Sequence, residues 1–398
     1  MKKRIITWVL LLMLITAEIC PVKIQGAVQP TPEISAPGAV LMEPSTGTVL
    51  YEKNGEEQRS PASITKIMTL LLIFEALEDG QITLEEEAVT SAYAKSMGGS
   101  QVFLEEGEKQ TVETLIKCIV VASGNDASVV MAEHLAGSEE EFVKRMNEKA
   151  GELGMIHTQF EDCCGLTDSE EHYTTASDVA IVSRELITRF PRILEYSSIW
   201  MENIIHRTAQ GEKEFCLTNT NKLIRSYEGC VGLKTGSTSV AKYCVSAVAQ
   251  RGEMTLLAVV MGAPDAKVRF KDAAALLDYG FGKCNLYLDE NRKNPDPVPI
   301  KGGVKAEVAC RYTGEFRYLD TEGKNLSQIE KKIVYMKNLQ APVKKGDIVG
   351  EAQYLLDGKM VGKTDIVAAK SVKKAGLWDY IKHIRKRMIK GDAYSTDR

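Results

Sequence analysis

Histidine is scarce in this chain. His134, His157, His172, His206 and His383 are the full complement, no two stand at metal-ligating spacing, and none has an obvious serine partner. That removes histidine-centred metal chemistry and a serine–histidine relay, and neither metal nor organic cofactor is expected. The nine cysteines contain no Cys-x-x-Cys pair and are too sparse for a disulfide scaffold. Outside the leader, Cys118, Cys163, Cys164, Cys216, Cys230, Cys244, Cys284 and Cys310 read mostly as buried thiols. Strong positive charge is also missing. A formal charge of -4 and a pI near 5.9 argue against a nucleic-acid binder, which needs a basic face. The apolar run from Ile5 to Ile15 is eleven residues, too short to span a bilayer comfortably. Lys2, Lys3 and Arg4 precede it and the small pair Gly26-Ala27 follows, so residues 1–27 read as a cleaved export signal and the mature protein as one working outside the cytoplasm. Cys20 follows Ile19, a poor fit to a lipid-modified cysteine site.

What is present is length and apolar content: 398 residues, 44% hydrophobic, enough for two or more domains. Gly38–Met42 and Thr48–Tyr51 flank the turn-like Pro44-Ser45-Thr46-Gly47 and predict a hairpin. The stretch 82–107 is irregular. Apolar periodicity marks helices from Thr111, from Val129, over Phe142–Leu153 and over Val179–Leu186. The period then shortens: 232–236, 243–248 and 255–261 read as three consecutive strands, closed by a helix over about Arg269–Leu277. Strand hairpin, helical region, strand run and final helix together predict an antiparallel sheet with helices packed on it, an α+β domain over 28–283. A Pro-rich loop near Asn291–Pro299 opens a small β-rich domain, 284–376. In 377–398, Leu377, Ile381, Ile384 and Met388 fall at helical spacing beside Trp378, with Lys382, Arg385, Lys386, Arg387 and Lys390 around them. That pattern predicts a basic amphipathic helix lying on a membrane surface.

Chemistry concentrates in Ser60-Pro61-Ala62-Ser63-Ile64-Thr65-Lys66. Ser60 suits an N-cap and Pro61 the first helical position; Ile64, Ile67, Met68, Leu71 and Leu72 give the helix one buried face. Residues three apart lie side by side, so Lys66 reaches the Ser63 hydroxyl: a nucleophile with an adjacent base. Alone, this is equally an ordinary capped helix. Ser123-Gly124-Asn125 lies in a polar break between two apolar helices, and Lys234-Thr235-Gly236 on a strand. Singly, Ser123 reads as a helix cap and Lys234 as a strand-edge charge.

In order, Ser63-x-x-Lys66, Ser123-Gly124-Asn125 and Lys234-Thr235-Gly236 resemble the motif set of penicillin-interacting serine enzymes. With Pro61–Lys66, Ser123–Ala127, His172–Ala176, Gly232–Gly236 and Val260–Ala263, the chain resembles the D-alanyl-D-alanine carboxypeptidases among the low-molecular-mass penicillin-binding proteins. The resemblance extends over nearly the whole chain. It implies a penicillin-recognising serine transpeptidase-like domain that removes the terminal D-alanine from peptidoglycan stem pentapeptides and takes β-lactams as inhibitors. Ser63 is then the nucleophile, Lys66 its base and Ser123 a proton relay. Asn125, Lys234, Thr235, Gly236 and Ser237 bind substrate, with the Ser63 and Ser237 N–H groups as oxyanion hole. Arg269 matches a family arginine near the carboxylate site, and fits a surface or helix-start role as well; His172 is structural. Departures from the family pattern are Asp162-Cys163-Cys164-Gly165-Leu166, Ser237 and Thr220, which bear on deacylation, substrate preference and β-lactam sensitivity. A D,D-endopeptidase, a β-lactamase and a non-catalytic wall-binding scaffold are the alternatives. The extra β domain opposes a β-lactamase, and the intact motif residues oppose a scaffold.

Overall fold

The structure, a computed structural model, describes residues 30–208, 211–382 and 385. The expected export signal, and all of the expected terminal helix beyond 377–382 and residue 385, lie outside them.

A five-stranded sheet forms the frame. Its strands are β1 (Gly38–Glu43), β2 (Thr48–Lys53), β7 (Cys230–Thr238), β8 (Lys242–Arg251) and β9 (Met254–Ala263), in the order β2-β1-β9-β8-β7, and every pairing is antiparallel. The first strand therefore lies beside the last. Alternate side chains leave opposite faces, and both faces are covered. Val40, Met42, Leu257, Val259 and Met261 enter a core shared with the main helices. Ala39, Leu41, Leu256, Ala258 and Val260 enter another, beneath the closing helix Ala266–Lys283. Double-sided burial is why these strands read as apolar runs rather than alternations.

Between β2 and β7 lie α1 (Lys66–Glu78), the short ribbon β3 (Glu87–Val89) with β4 (Lys109–Thr111), α2 (Val112–Val120), α3 (Asn125–Ala136), α4 (Glu139–Glu152) and α5 (Ala176–Arg189). Thr111, Ser138 and Thr175 cap their helices by accepting N–H bonds. Two expectations at α1 are corrected. Ser60 is not its cap: Arg59 is tied in extended conformation to Thr174, the Ser60 hydroxyl makes no hydrogen bond, and a 3-10 turn over Ala62–Thr65 precedes the helix. Nor has α1 a single buried face. Lys66 to Leu71, Ile73, Phe74 and Ala76 are all buried, because α2, α3, α4 and α5 pack around it. The hairpin β5 (Met201–Thr208) with β6 (Gly211–Thr218) was not foreseen. Glu202, Arg207, Glu212, Lys213 and Glu214 mask its inward Ile204, His206 and Leu217.

Beyond Cys284 the strands form a separate small core of Val298, Val308, Tyr354, Ile366 and their neighbours, in which Phe316 stacks on Tyr354 at 3.8 Å. The ribbon of Asn285–Asp289 with Phe316–Asp320 joins the cores, Leu286 and Leu319 packing toward the sheet and Tyr287 and Tyr318 toward the small core. Residues 377–382 are helical, with Leu377, Trp378, Tyr380 and Ile381 all exposed. Among the described residues, no helix is long and apolar enough to cross a membrane.

Candidate active site

The three motifs, far apart in sequence, meet where the 3-10 turn abuts the edge strand β7. Ser63 is half-buried in the 3-10 turn that precedes α1, and the Lys66 Nζ donates to its Oγ at 2.9 Å. The same amine nitrogen reaches Asn125 Oδ1 at 2.6 Å and the Cys164 carbonyl at 2.8 Å. From β7, Lys234 Nζ donates to Ser123 Oγ at 2.8 Å and to the Thr235 carbonyl at 2.9 Å. Ser123 stands in the break between α2 and α3 at φ +63°, a conformation that non-glycine residues adopt rarely and chiefly at functional positions.

Both amines are withdrawn from water: Lys66 is 0% exposed and Lys234 1%. Burial disfavours the charged form and holds Lys66 below the usual lysine range, with the Asp126 and Asp162 carboxylates pulling the other way. Lys234 is pushed well down, by burial first and then by the positive charges of Lys66 and Arg269. The site thus resists holding two protons at once.

A Cβ at Gly236 would lie 2.9 Å from both the Pro61 carbonyl oxygen and the Ser63 nitrogen, so the glycine lets β7 close against the turn that carries Ser63. The neighbouring Thr235 hydroxyl donates to Thr220 Oγ1 at 2.6 Å. Ser237 continues β7 opposite Tyr243. Arg269 is buried, its Nη1 donating to the carbonyls of the Gly236 and Cys244 pair at 3.1 and 3.2 Å, with its guanidinium over the Phe270 ring. It braces the strand that carries Lys234. Asn125 has both amide atoms engaged, since its Nδ2 donates to the Gly98 carbonyl at 2.7 Å.

Part of the site could not be anticipated. Asp162 gathers the N–H groups of Cys164, Gly165, Leu166 and Thr167. Burial would raise its pKa, but these N–H bonds outweigh that and hold it low. The loop so fixed presents the Cys164 carbonyl to Lys66. Gly165, at φ +74°, admits it, because a Cβ would run into the Ala62 carbonyl. His172 accepts the Glu161 N–H at Nδ1 and meets Thr65 Oγ1 through Nε2 at 2.9 Å, so it supports the turn beneath Ser63. A backbone carbonyl leaves no side-chain signature; the His-Tyr-Thr-Thr stretch was the available clue. Glu139, Asp162 and Cys164 each bring one potential metal-ligand atom within 4.8 Å of the others. Both Asp162 oxygens are already committed to the loop, so this group does not fit a metal.

A hydroxyl beside a buried amine, with a second buried amine and hydroxyl alongside on a helix-covered antiparallel sheet, is an arrangement equipped for nucleophilic acyl transfer. Residues 25–265 match the D-alanyl-D-alanine carboxypeptidase family and 296–374 the C-terminal domain of penicillin-binding protein 5. The chain is 41% identical over 348 residues to D-alanyl-D-alanine carboxypeptidase DacF of Bacillus subtilis, covering 87% of this chain and 88% of the relative. It is 32% identical over 371 residues to DacC of Escherichia coli, covering 88% of each. Among solved structures, penicillin-binding protein 5 of Haemophilus influenzae superposes with a TM-score of 0.71 at 30% identity, over 87% of this chain and 100% of that one. The chain belongs to the D-alanyl-D-alanine carboxypeptidase family of serine peptidases.

Proposed function

We propose that the enzyme removes the terminal D-alanine from peptidoglycan stem pentapeptides through an acyl-enzyme on Ser63, and that penicillins acylate the same hydroxyl. The observation that carries this is the 2.9 Å contact between Lys66 Nζ and Ser63 Oγ inside a buried cluster. Lys66 in its neutral form takes the Ser63 proton as the oxygen attacks the penultimate carbonyl. The Ser63 and Ser237 N–H groups, on segments that Gly236 brings together, receive the developing oxyanion. Lys234 and Thr235 hold the terminal carboxylate while Ser123 relays a proton to the departing amine. Asn125 binds the substrate peptide, and Arg269 steadies the strand edge. Water then releases the shortened peptide and restores Ser63.

The carboxylate also sets the protonation state. Two buried amines repel each other's charge, and a carboxylate beside Lys234 favours the proton there. Lys66 is thereby left neutral when substrate is in place. A labelled penicillin should form one covalent adduct, mapped by mass spectrometry to Ser63, and Ser63→Ala should abolish both adduct and D-alanine release. Labelling that persists in Ser63→Ala overturns the assignment.

We assign the work to the outer face of the cytoplasmic membrane, with 377–398 lying on the lipid surface through Leu377, Trp378 and Ile381, and basic residues beside them. The assignment of domains follows: leader 1–27, catalytic domain 28–283, β-rich domain 284–376. Deleting 377–398 should release the enzyme from membranes in a sedimentation assay while soluble D-alanine release stays unchanged; a truncated form that still pellets contradicts the role.

A further inference from the structure

The segment 98–104 walls the catalytic cleft at one end and enters a second cavity at the other. The Ser100 carbonyl accepts the Asn125 N–H at 2.8 Å, and the Val102 and Leu104 N–H groups donate to the Asp126 carboxylate. Between them Phe103 is held at φ +64°, which a bulky residue seldom adopts, and its side chain is turned out to 63% exposure. Its ring meets Phe215 edge-on at 5.8 Å, and Phe215 meets His206 at 5.6 Å. These three line a cavity of about 500 Å³ rimmed by Glu105, Glu212 and Lys213, within the size range of small-ligand sites.

His206 carries the chemical information. It is 6% exposed, and its Nδ1 lies 2.8 Å from the Glu108 carboxylate. That carboxylate is itself buried and held by the Glu105 N–H and the Gln110 amide. Nδ1 is engaged by Glu108, while Nε2 is buried and has no partner among the described residues. A buried polar atom is ordinarily paired, so the wall of this cavity calls for a hydrogen-bonding partner. At the rim, Glu105 is paired with Lys95 and Glu212 with Arg207, whereas Lys213 makes no ion pair among the described residues and offers a donor of its own.

We propose that this cavity binds a sugar ring of the wall glycan, an N-acetylated amino sugar, while the attached stem peptide occupies the catalytic cleft; the inference rests on the function proposed above. Such a ring is neutral. It lays an apolar face on Phe103 and Phe215, pairs with Nε2 a hydroxyl that can either give or accept a proton, and presents an acetamide carbonyl to Lys213. A purely apolar ligand leaves Nε2 unpaired, and an anion meets Glu105 and Glu212. Phe103 stands three steps along the chain from Ser100, a reach of at most about 10 Å, so one segment touches both parts of a glycan-linked substrate.

The test titrates chitotetraose, an N-acetylglucosamine oligomer, onto the full chain by saturation-transfer NMR. It also compares kcat/KM for glycan-linked and free pentapeptide. Since His206 variants strand the buried Glu108, the variants are the exposed Phe103→Ser and Lys213→Gln. Binding should be saturable and weaken about tenfold in each, the loss of roughly one polar or stacking contact, and the preference for glycan-linked substrate should fall with it. Absence of saturable binding, or binding and preference unchanged in both variants, overturns the inference. Penicillin labelling of Ser63 in the same samples keeps the readings apart. An adduct without glycan binding sinks this inference alone, whereas a missing adduct sinks the proposed function.

Discussion

Lys66→Met should lower the second-order rate of acylation by penicillin by about 10²–10⁴, the usual contribution of a positioned general base, with a parallel fall in D-alanine release. Methionine fills much of the same volume, so the helices around α1 keep their packing. What disappears is the amine that touches Ser63 Oγ, Asn125 Oδ1 and the Cys164 carbonyl. Stopped-flow acylation checks this, with a thermal melt showing that the variant is folded. An unchanged rate in a folded Lys66→Met protein places the base elsewhere.

Lys234→Met should act differently. A charge-assisted hydrogen bond to a carboxylate contributes about 1.5–3 kcal/mol, so kcat/KM for the pentapeptide should fall by roughly 10–150-fold, much of it in KM. The second consequence concerns its neighbour. Removing one positive charge from a buried pair lets the other hold its proton more tightly, so the acid limb of the remaining activity should move to higher pH. A variant that loses activity with the limb unmoved leaves Lys234 as a binding group without influence on Lys66.

How far the site was legible depends on where each contribution resides. Ser63 and Lys66 are three residues apart, and a 3-10 turn running into α1 keeps them adjacent almost as an uninterrupted helix does; the spacing survived the wrong cap at Ser60. The strands β8 and β9 were readable because burial on both faces writes continuous apolar runs, while β5 and β6 were hidden because one face of a surface hairpin carries charge. Gly236 was legible as a residue, but the close approach it permits was not, since the atoms it makes room for belong to Pro61 and Ser63, far away in sequence. Asp162 and the Cys164 carbonyl were illegible altogether. Their work is done through backbone groups on a loop whose only outward sign is a departure from the pattern of related chains. The edges of the site, His172 under Thr65 and Arg269 behind Gly236, were visible as residue types and acquired their bracing roles only from packing.

The claim on which the account depends is that burial lowers the Lys66 pKa, making its neutral form available as the base. It is tested most directly by the pH dependence of the acylation rate constant with benzylpenicillin. A neutral amine is the active form above its pKa, so the rate should rise with pH through the lowered Lys66 value and level off below the ordinary lysine pKa of about 10.4. A rate still climbing tenfold per pH unit as it reaches that ordinary value would mean that the base is a solvated lysine, contradicting the account.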